Sequence, residues 1–418
     1  MIDFDDVKQK QEEYRGAIRA KRIPLDFDRL LQVAEERREK RKIVDDLRRD
    51  RNKITALVAA GTERVENIER GRALGEKLKV EESSLVELEN SYRELTALLP
   101  GLPAPEVPVG DTDADNVEVK RHGAPRVFDF KFRDHLELAA LHNMANFDGA
   151  REIAGSRAYA LMGIGALLEN AVLQFALAHV VKKGFTPVLP PLLVNEAAMF
   201  GTGYFPLGED SAYHLEKDNL FLTGTSEVGA VAIHLNETLN ELELPRRYVG
   251  ISPCFRREAG AAGRDTKGFY RVHQFQKVEQ VVFCANDVEI SRAEHEALLQ
   301  NAEEIVQALE LPYRVVEVCT GDMGLGQVRK HDIETWMPSR NSYGETHSCS
   351  TFHDFQARRL NIRYRDTGGR KQFVHTLNNT AIASPRILIA LLENHQNRDG
   401  SINVPKALRP FLGGLEVI

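Results

Sequence analysis

The chain has 418 residues, of which 42% are apolar and 28% charged, and its formal net charge is −7. At roughly 100–200 residues per domain this is material for two or three domains, with apolar content that excludes wholesale disorder. The slightly acidic balance excludes a protein basic all over, so any nucleic-acid surface must be local.

The N-terminal run MIDFDDVKQKQEEY is acidic and lacks an apolar segment. No signal peptide is predicted, and a cytoplasmic protein is expected. From Asp26 to Leu99 there is no proline, and apolar residues recur at 30, 33, 44, 47, 54 and 58, then from Ile68 to Leu99. This spacing predicts two long helices, the first over Asp28–Val58 and about 45 Å long at 1.5 Å per residue, with a reversal at Ala59–Thr62. They should pair as an antiparallel coiled-coil arm over 26–99, inside an N-terminal helical domain 1–100. Arg37, Lys40 and Arg51 fall on core positions, so the seam should be thin. Residues 37–53 hold nine Lys/Arg against four Asp/Glu. That is either a solvated, salt-bridged face or a surface that tracks a nucleic-acid backbone.

The proline-rich run PGLPAPEVPVGDTDADN marks a linker over 101–116, and a mixed α+β domain should fill 117–418. Its most apolar stretch, Gly165–Val181, is interrupted by Glu169, Asn170, Gln174 and His179, so no membrane span is predicted. Cysteines stand at 254, 284, 319 and 349 with no CxxC pair, which argues against a zinc ribbon or dithiol and suits a reducing compartment. No GxxxxGK[ST] occurs, so any use of ATP needs another architecture.

Four short runs carry chemistry. Thr225-Ser226-Glu227 ends an apolar strand; capping of the next helix would explain it equally well. Tyr248–Phe283 reads as strand, FRRE, loop, strand. Alternation puts Arg256 and Glu258 on one face of the first strand, and Arg271, His273, Phe275, Lys277 and Glu279 on one face of the second. Such a row needs a ligand or water to satisfy it, because unpaired buried charge is costly. In Glu345-Thr346-His347-Ser348-Cys349 a carboxylate beside hydroxyls suits Mg²⁺ better than zinc. In Ala383-Ser384-Pro385-Arg386, Ser384 should cap a helix with Pro385 at its first position. Arg386 in the first turn opposes the helix dipole and needs an anion.

Together these runs are specific. FRREAG with RVHQFQKVE resembles motif 2 of the class II aminoacyl-tRNA synthetases, TLNNTAIASPRILIALLENHQ resembles motif 3, and KKGFTPVLPPLLV resembles motif 1. With the arm, the whole chain is similar to the bacterial seryl-tRNA synthetase family. The resemblance implies a catalytic domain built on an antiparallel sheet flanked by helices. It implies activation of L-serine with ATP and Mg²⁺, and transfer of the seryl group to tRNA(Ser), with tRNA(Sec) left open as a second acceptor. A homodimer formed through motif 1 is implied as well.

The resemblance also implies residue roles. Arg256, Glu279 and Arg386 would be catalytic. Thr225, Ser226, Glu227, Arg256, Glu279 and Thr380 would bind serine. Arg256, Arg257, Glu258, Arg271, Val272, Phe275, Glu345, Thr346, His347, Ser348 and Arg386 would bind ATP, with Glu345 and Ser348 as the metal ligands. Strict alternation would put Glu345 and Ser348 on opposite faces, so a bulge or a bend is expected there. The run Asn379–Pro385 departs from the family in lacking the glycines that many members carry before the motif 3 arginine. Two other readings fit less well. A paralogue acylating a carrier protein would lack the arm and use a cysteine-bound zinc, and a non-catalytic RNA-binding protein need not keep Arg256, Glu258, Glu279, Glu345 and Arg386 together.

Overall fold

The computed structural model describes residues 4–260, 263, 265 and 267–418, and it divides into two compact units, Met1–Pro100 and Gly101–Ile418. The first unit is helical. Helices α1 (Phe27–Ala59) and α2 (Arg64–Ala97) pair antiparallel, and the Asp26 carboxylate caps α1 by accepting from the Arg29 N–H. Their seam is as thin as its sequence: Val44, Leu47, Leu78 and Leu85 form the buried cluster, with Leu74 packed against it. Of the three cations expected in the seam, Arg51 is exposed instead, while Arg37 and Lys40 are answered by the returning helix. Arg37 lies 4.5 Å from the Tyr92 ring centroid, Lys40 pairs with Glu81 at 2.7 Å, and Arg41 pairs with Glu89. Such exposed pairs each contribute only about 0–1 kcal/mol, so they set register more than stability.

The second unit is built on an eight-stranded sheet. Its strands are β1 (Val117–His122), β2 (Thr186–Val188), β3 (Arg246–Phe255), β4 (Gln274–Cys284), β5 (Tyr313–Glu317), β6 (Arg329–Met337), β7 (Ser342–His353) and β8 (His375–Ser384). The spatial order is β1-β5-β6-β7-β8-β4-β3-β2. Every pair is antiparallel except β2 on β3. One face is covered by α3 (Gly163–Lys182) and α5 (Val288–Ala308). Their Leu168, Val172, Ala176, Val180, Leu298 and Ile305 join Val249, Val278, Val282, Leu377 and Ile382 of the sheet in one core. By length and composition α3 could cross a membrane, but its buried side chains belong to this core. Helix α4 (Ser226–Ala232) follows the TSE run, and α6 (Arg386–His395) follows β8.

The segment expected as a linker is pinned to this unit. Gly101 and Ala104 donate backbone hydrogen bonds to Leu325 and Val328, and Val107 packs with Val316, Val318 and Met323.

Candidate active site

The strand ends bring the singled-out residues to one cleft of about 620 Å³, counted to its open mouth. Its walls include Arg256, Glu258, Arg271, Val272, Phe275, Lys277, Glu345, Thr346, Ser348, Thr380 and Arg386.

Two sequence expectations need correction here. Arg256 and Glu258 lie beyond the end of β3, and Arg271–His273 precede β4. The ladder nevertheless continues without regular strand geometry: the Arg256 N–H donates to the His273 carbonyl at 2.9 Å, and His273 Nδ1 lies 2.9 Å from the Arg256 carbonyl. Alternation therefore persists as far as Arg256. Glu258 turns inward through a left-handed backbone (φ 52°) and accepts from Arg271 at 3.2 Å. Of the loop that follows, residues 261, 262, 264 and 266 lie outside the described residues.

Arg256 is held in place: Nε donates to the Gly224 carbonyl at 3.3 Å, and its guanidinium lies 5.2 Å from the Phe275 ring centroid. Two positions along the same face of β4, the Lys277 ammonium bridges Glu279 at 2.5 Å and the Thr225 hydroxyl at 3.1 Å. Burial pushes the Glu279 carboxyl up, while Lys277, Arg256 and Thr380 pull it back. Thr380 of β8 stands opposite Glu279 across the ladder. Lys277 is thus a working member of the site that sequence reasoning left without a role. Its partner Glu279, two residues away on the same face, was the available signal.

The expected bulge is present. In the β6/β7 ladder Ile333 pairs with His347 and Glu334 with Glu345, leaving Thr346 as the extra residue. Glu345 and Ser348 therefore both reach the cleft. Beneath them Asp332 sits opposite Ser348. Burial pushes its carboxyl up to about 7 against the pull of Lys330, 3.0 Å away. His347 is buried instead of lining the cleft, with Nδ1 2.9 Å from the Thr346 hydroxyl. Burial lowers its pKa to about 4, so the ring is neutral.

Arg386 finds the anion its position calls for: Nη1 lies 3.7 Å from the Glu345 carboxylate and donates to the Glu345 carbonyl at 2.8 Å. Nε donates to the Tyr270 carbonyl at 3.2 Å. The expected helix start is displaced by one residue. Ser384 ends β8, Pro385 is the N-cap, no side chain caps the helix, and Arg386 is its first residue. From Asn379 to Pro385 no residue has positive φ, so the glycines missing from this run are not needed for its turn.

The remaining candidates lie behind the cleft. Thr225 caps α4 by accepting from the Glu227 N–H, and Ser226 shares a 2.7 Å hydrogen bond with Ser252. Glu227 accepts from Gln356 at 2.7 Å, and burial beside Glu279 pushes its carboxyl up to about 7. Arg257 is outside the cleft wall; its backbone N–H donates to the Ser211 carbonyl at 3.0 Å.

The donor set fits a hard cation in one place. Among the described residues no three His, Cys, Asp or Glu side chains converge as a metal cage. Glu345 and Ser348 present a carboxylate and a hydroxyl on one side of the cleft, and Mg²⁺ takes one or two protein oxygens plus substrate phosphates and water. All four cysteines are buried and free.

Comparison with known proteins agrees in both units. Residues 213–395 match the family described as tRNA synthetase class II core domain (G, H, P, S and T), and residues 1–103 the family described as Seryl-tRNA synthetase N-terminal domain. The serine–tRNA ligase of Deinococcus radiodurans is 47% identical over 100% of this chain and 99% of its own. That of Coprothermobacter proteolyticus is 43% identical over 97% and 98%. Among solved structures, seryl-tRNA synthetase from Pyrococcus horikoshii complexed with ATP superposes with a TM-score of 0.91 at 38% identity, covering 100% of this chain and 99% of that one.

Proposed function

This chain belongs to the seryl-tRNA synthetases, and on that footing we propose which of its residues carry the reaction. It is a ligase: it activates serine with ATP and passes the seryl group to tRNA(Ser). The observation that supports the residue assignment is the single cleft lined by Phe275, Lys277, Arg256, Arg386, Glu345 and Ser348.

In this reading adenine stacks on Phe275, beside the Arg256 guanidinium, with Glu258 accepting from its amino group and Val272 lining the site. Arg256 holds the α-phosphate and the serine carboxylate together, while Arg271 and Arg386 hold the outer phosphates. Serine's carboxylate attacks the α-phosphorus, pyrophosphate leaves, and seryl-adenylate stays bound until a terminal ribose hydroxyl of tRNA takes the acyl group. No protein nucleophile is required, so positioning and electrostatics carry the catalysis. Glu345 and Ser348 would hold Mg²⁺, which when bound neutralises phosphate charge.

Serine's ammonium goes to Glu279, whose carboxyl burial pushes up and Lys277 pulls back. Its hydroxyl goes to Thr380, with Thr225 closing the pocket. A pocket that hydrogen-bonds a hydroxyl rejects the analogue lacking it, because its own polar groups would be left unpaired. Serine-dependent ATP–pyrophosphate exchange is therefore expected to exceed that with alanine by at least about 100-fold, and that with threonine by about 10- to 200-fold, because threonine keeps the hydroxyl but adds a methyl that the tight site must exclude. Equal exchange with all three would overturn the pocket assignment.

We assign the arm to the tRNA, place the enzyme in the cytoplasm, and extend charging to tRNA(Sec) through the same arm, checked by acylation of that tRNA. We also assign a homodimer to the surface around 165–194. There Leu167, Leu189 and Leu193 are exposed apolar side chains, and two-fold pairing would cover them. Light scattering at micromolar concentration should give twice the chain mass; a monomer mass would refute the interface.

A further inference from the structure

We propose that Glu169 is a positioning residue for Arg386, acting through its hydrogen bond to Ser384. Glu169 is the one carboxylate on α3, does not line the cleft, and has no cation partner among the described residues. Its Oε1 accepts from the Ser384 hydroxyl at 2.8 Å, and partial burial holds its carboxyl above the usual range against the pull of that hydroxyl. A carboxylate in such a place is unfavourable unless its hydrogen bond fixes something.

What it fixes is the junction between β8 and α6. Ser384 is the last laddered residue of β8, opposite Gln276 of β4, and Arg386 begins α6 two residues later. Pro385 has no N–H to anchor, and no side chain caps the helix. The chain direction at Arg386 is therefore set by the ladder and Ser384 on one side, and by the guanidinium's own bonds to the Tyr270 and Glu345 carbonyls on the other. Removing Glu169 leaves the buried Ser384 hydroxyl unpartnered and frees the strand end from α3. The guanidinium that should meet ATP then loses its preset direction.

This inference rests on the assignment of Arg386 to ATP, and the test separates the two. In pyrophosphate exchange, Glu169→Ala should raise the KM for ATP by about ten-fold or more, the size of a lost hydrogen bond to a charged group. The KM for serine should stay within about two-fold. Glu169→Gln, which still accepts from Ser384, should restore the ATP KM. Ser384→Ala should reproduce the defect, and the double variant should be no worse than the worse single one, because both remove one interaction. An unchanged ATP KM with only a lower Tm, equal shifts in both KM values, or additive effects would overturn the proposal. Arg386→Ala calibrates it. If that variant leaves the ATP KM unchanged, the Arg386 assignment itself fails; if it raises the ATP KM and Glu169→Ala does not, only the positioning role fails.

Discussion

Arg256→Ala is expected to lower kcat for serine activation by about 100- to 1,000-fold, roughly 2.7–4 kcal/mol of transition-state stabilisation. The guanidinium is half-buried and fixed by the Gly224 carbonyl and by Phe275, so it costs little reorganisation when charge develops on the α-phosphate. The other cations of the cleft are held at other points of it. Lys277 is committed to Glu279 and Thr225, Arg271 to Glu258, and Arg386 to the Tyr270 and Glu345 carbonyls. Arg256→Lys should recover little, because an ammonium neither stacks on Phe275 nor spans two oxygens in a plane. Steady-state pyrophosphate exchange on protein of unchanged circular dichroism checks this, and near-normal turnover would remove Arg256 from the mechanism.

The second large effect separates the two units. Replacing residues 28–97 with a short turn should leave serine activation within about two-fold. Charging of tRNA(Ser) should fall by about 100-fold or more, with a shallower dependence on salt because phosphate contacts are lost. A stem of double-stranded RNA offers phosphates and 2′-hydroxyls with a major groove that side chains cannot read, and a basic helix face suits that shape. The structure refines which cations are available for it. Lys40, Arg41 and Arg48 are engaged by Glu81, Glu89 and Glu82 of the returning helix, whereas Lys42 and Arg51 meet no carboxylate among the described residues. Lys42→Ala with Arg51→Ala should therefore weaken tRNA binding more than Arg48→Ala alone. Loss of activation in a folded arm-deleted protein, or undiminished charging, would show that the arm does not select the tRNA.

Much of this was legible in the sequence, for physical reasons that differ by element. The arm was read to within a residue at the ends of α1, because an uninterrupted helical period with an Asp26 cap leaves little freedom. The bulge at Thr346 followed from requiring Glu345 and Ser348 to meet one ligand. What escaped were features set by partners far along the chain. Ser384 looks like a helix cap from its neighbours, yet its hydroxyl is taken by Glu169, 215 residues away. The run 101–116 has the composition of a free linker, but Val107 finds a cluster more than 200 residues ahead. Alternation placed Arg256 and Arg271 correctly at the cleft but gave no sign that the regular strands end at Phe255 and begin at Gln274, because a ladder can persist where strand geometry does not.

The unpaired Thr346 also makes chain length a condition of chemistry. Residues 349–353 are registered against β8 and residues 342–345 against β6, so a deletion of one residue at 346 would turn Glu345 to the opposite face while leaving every charged side chain of the cleft in the sequence. Inserting one residue there would do the same. Only a change of two residues keeps the parity, and it would displace Glu345 from Ser348 by about 6–7 Å at the rise of a strand. A conservative substitution in this segment should cost less than any insertion or deletion, because here the count of residues, as much as their kind, puts carboxylate and hydroxyl side by side.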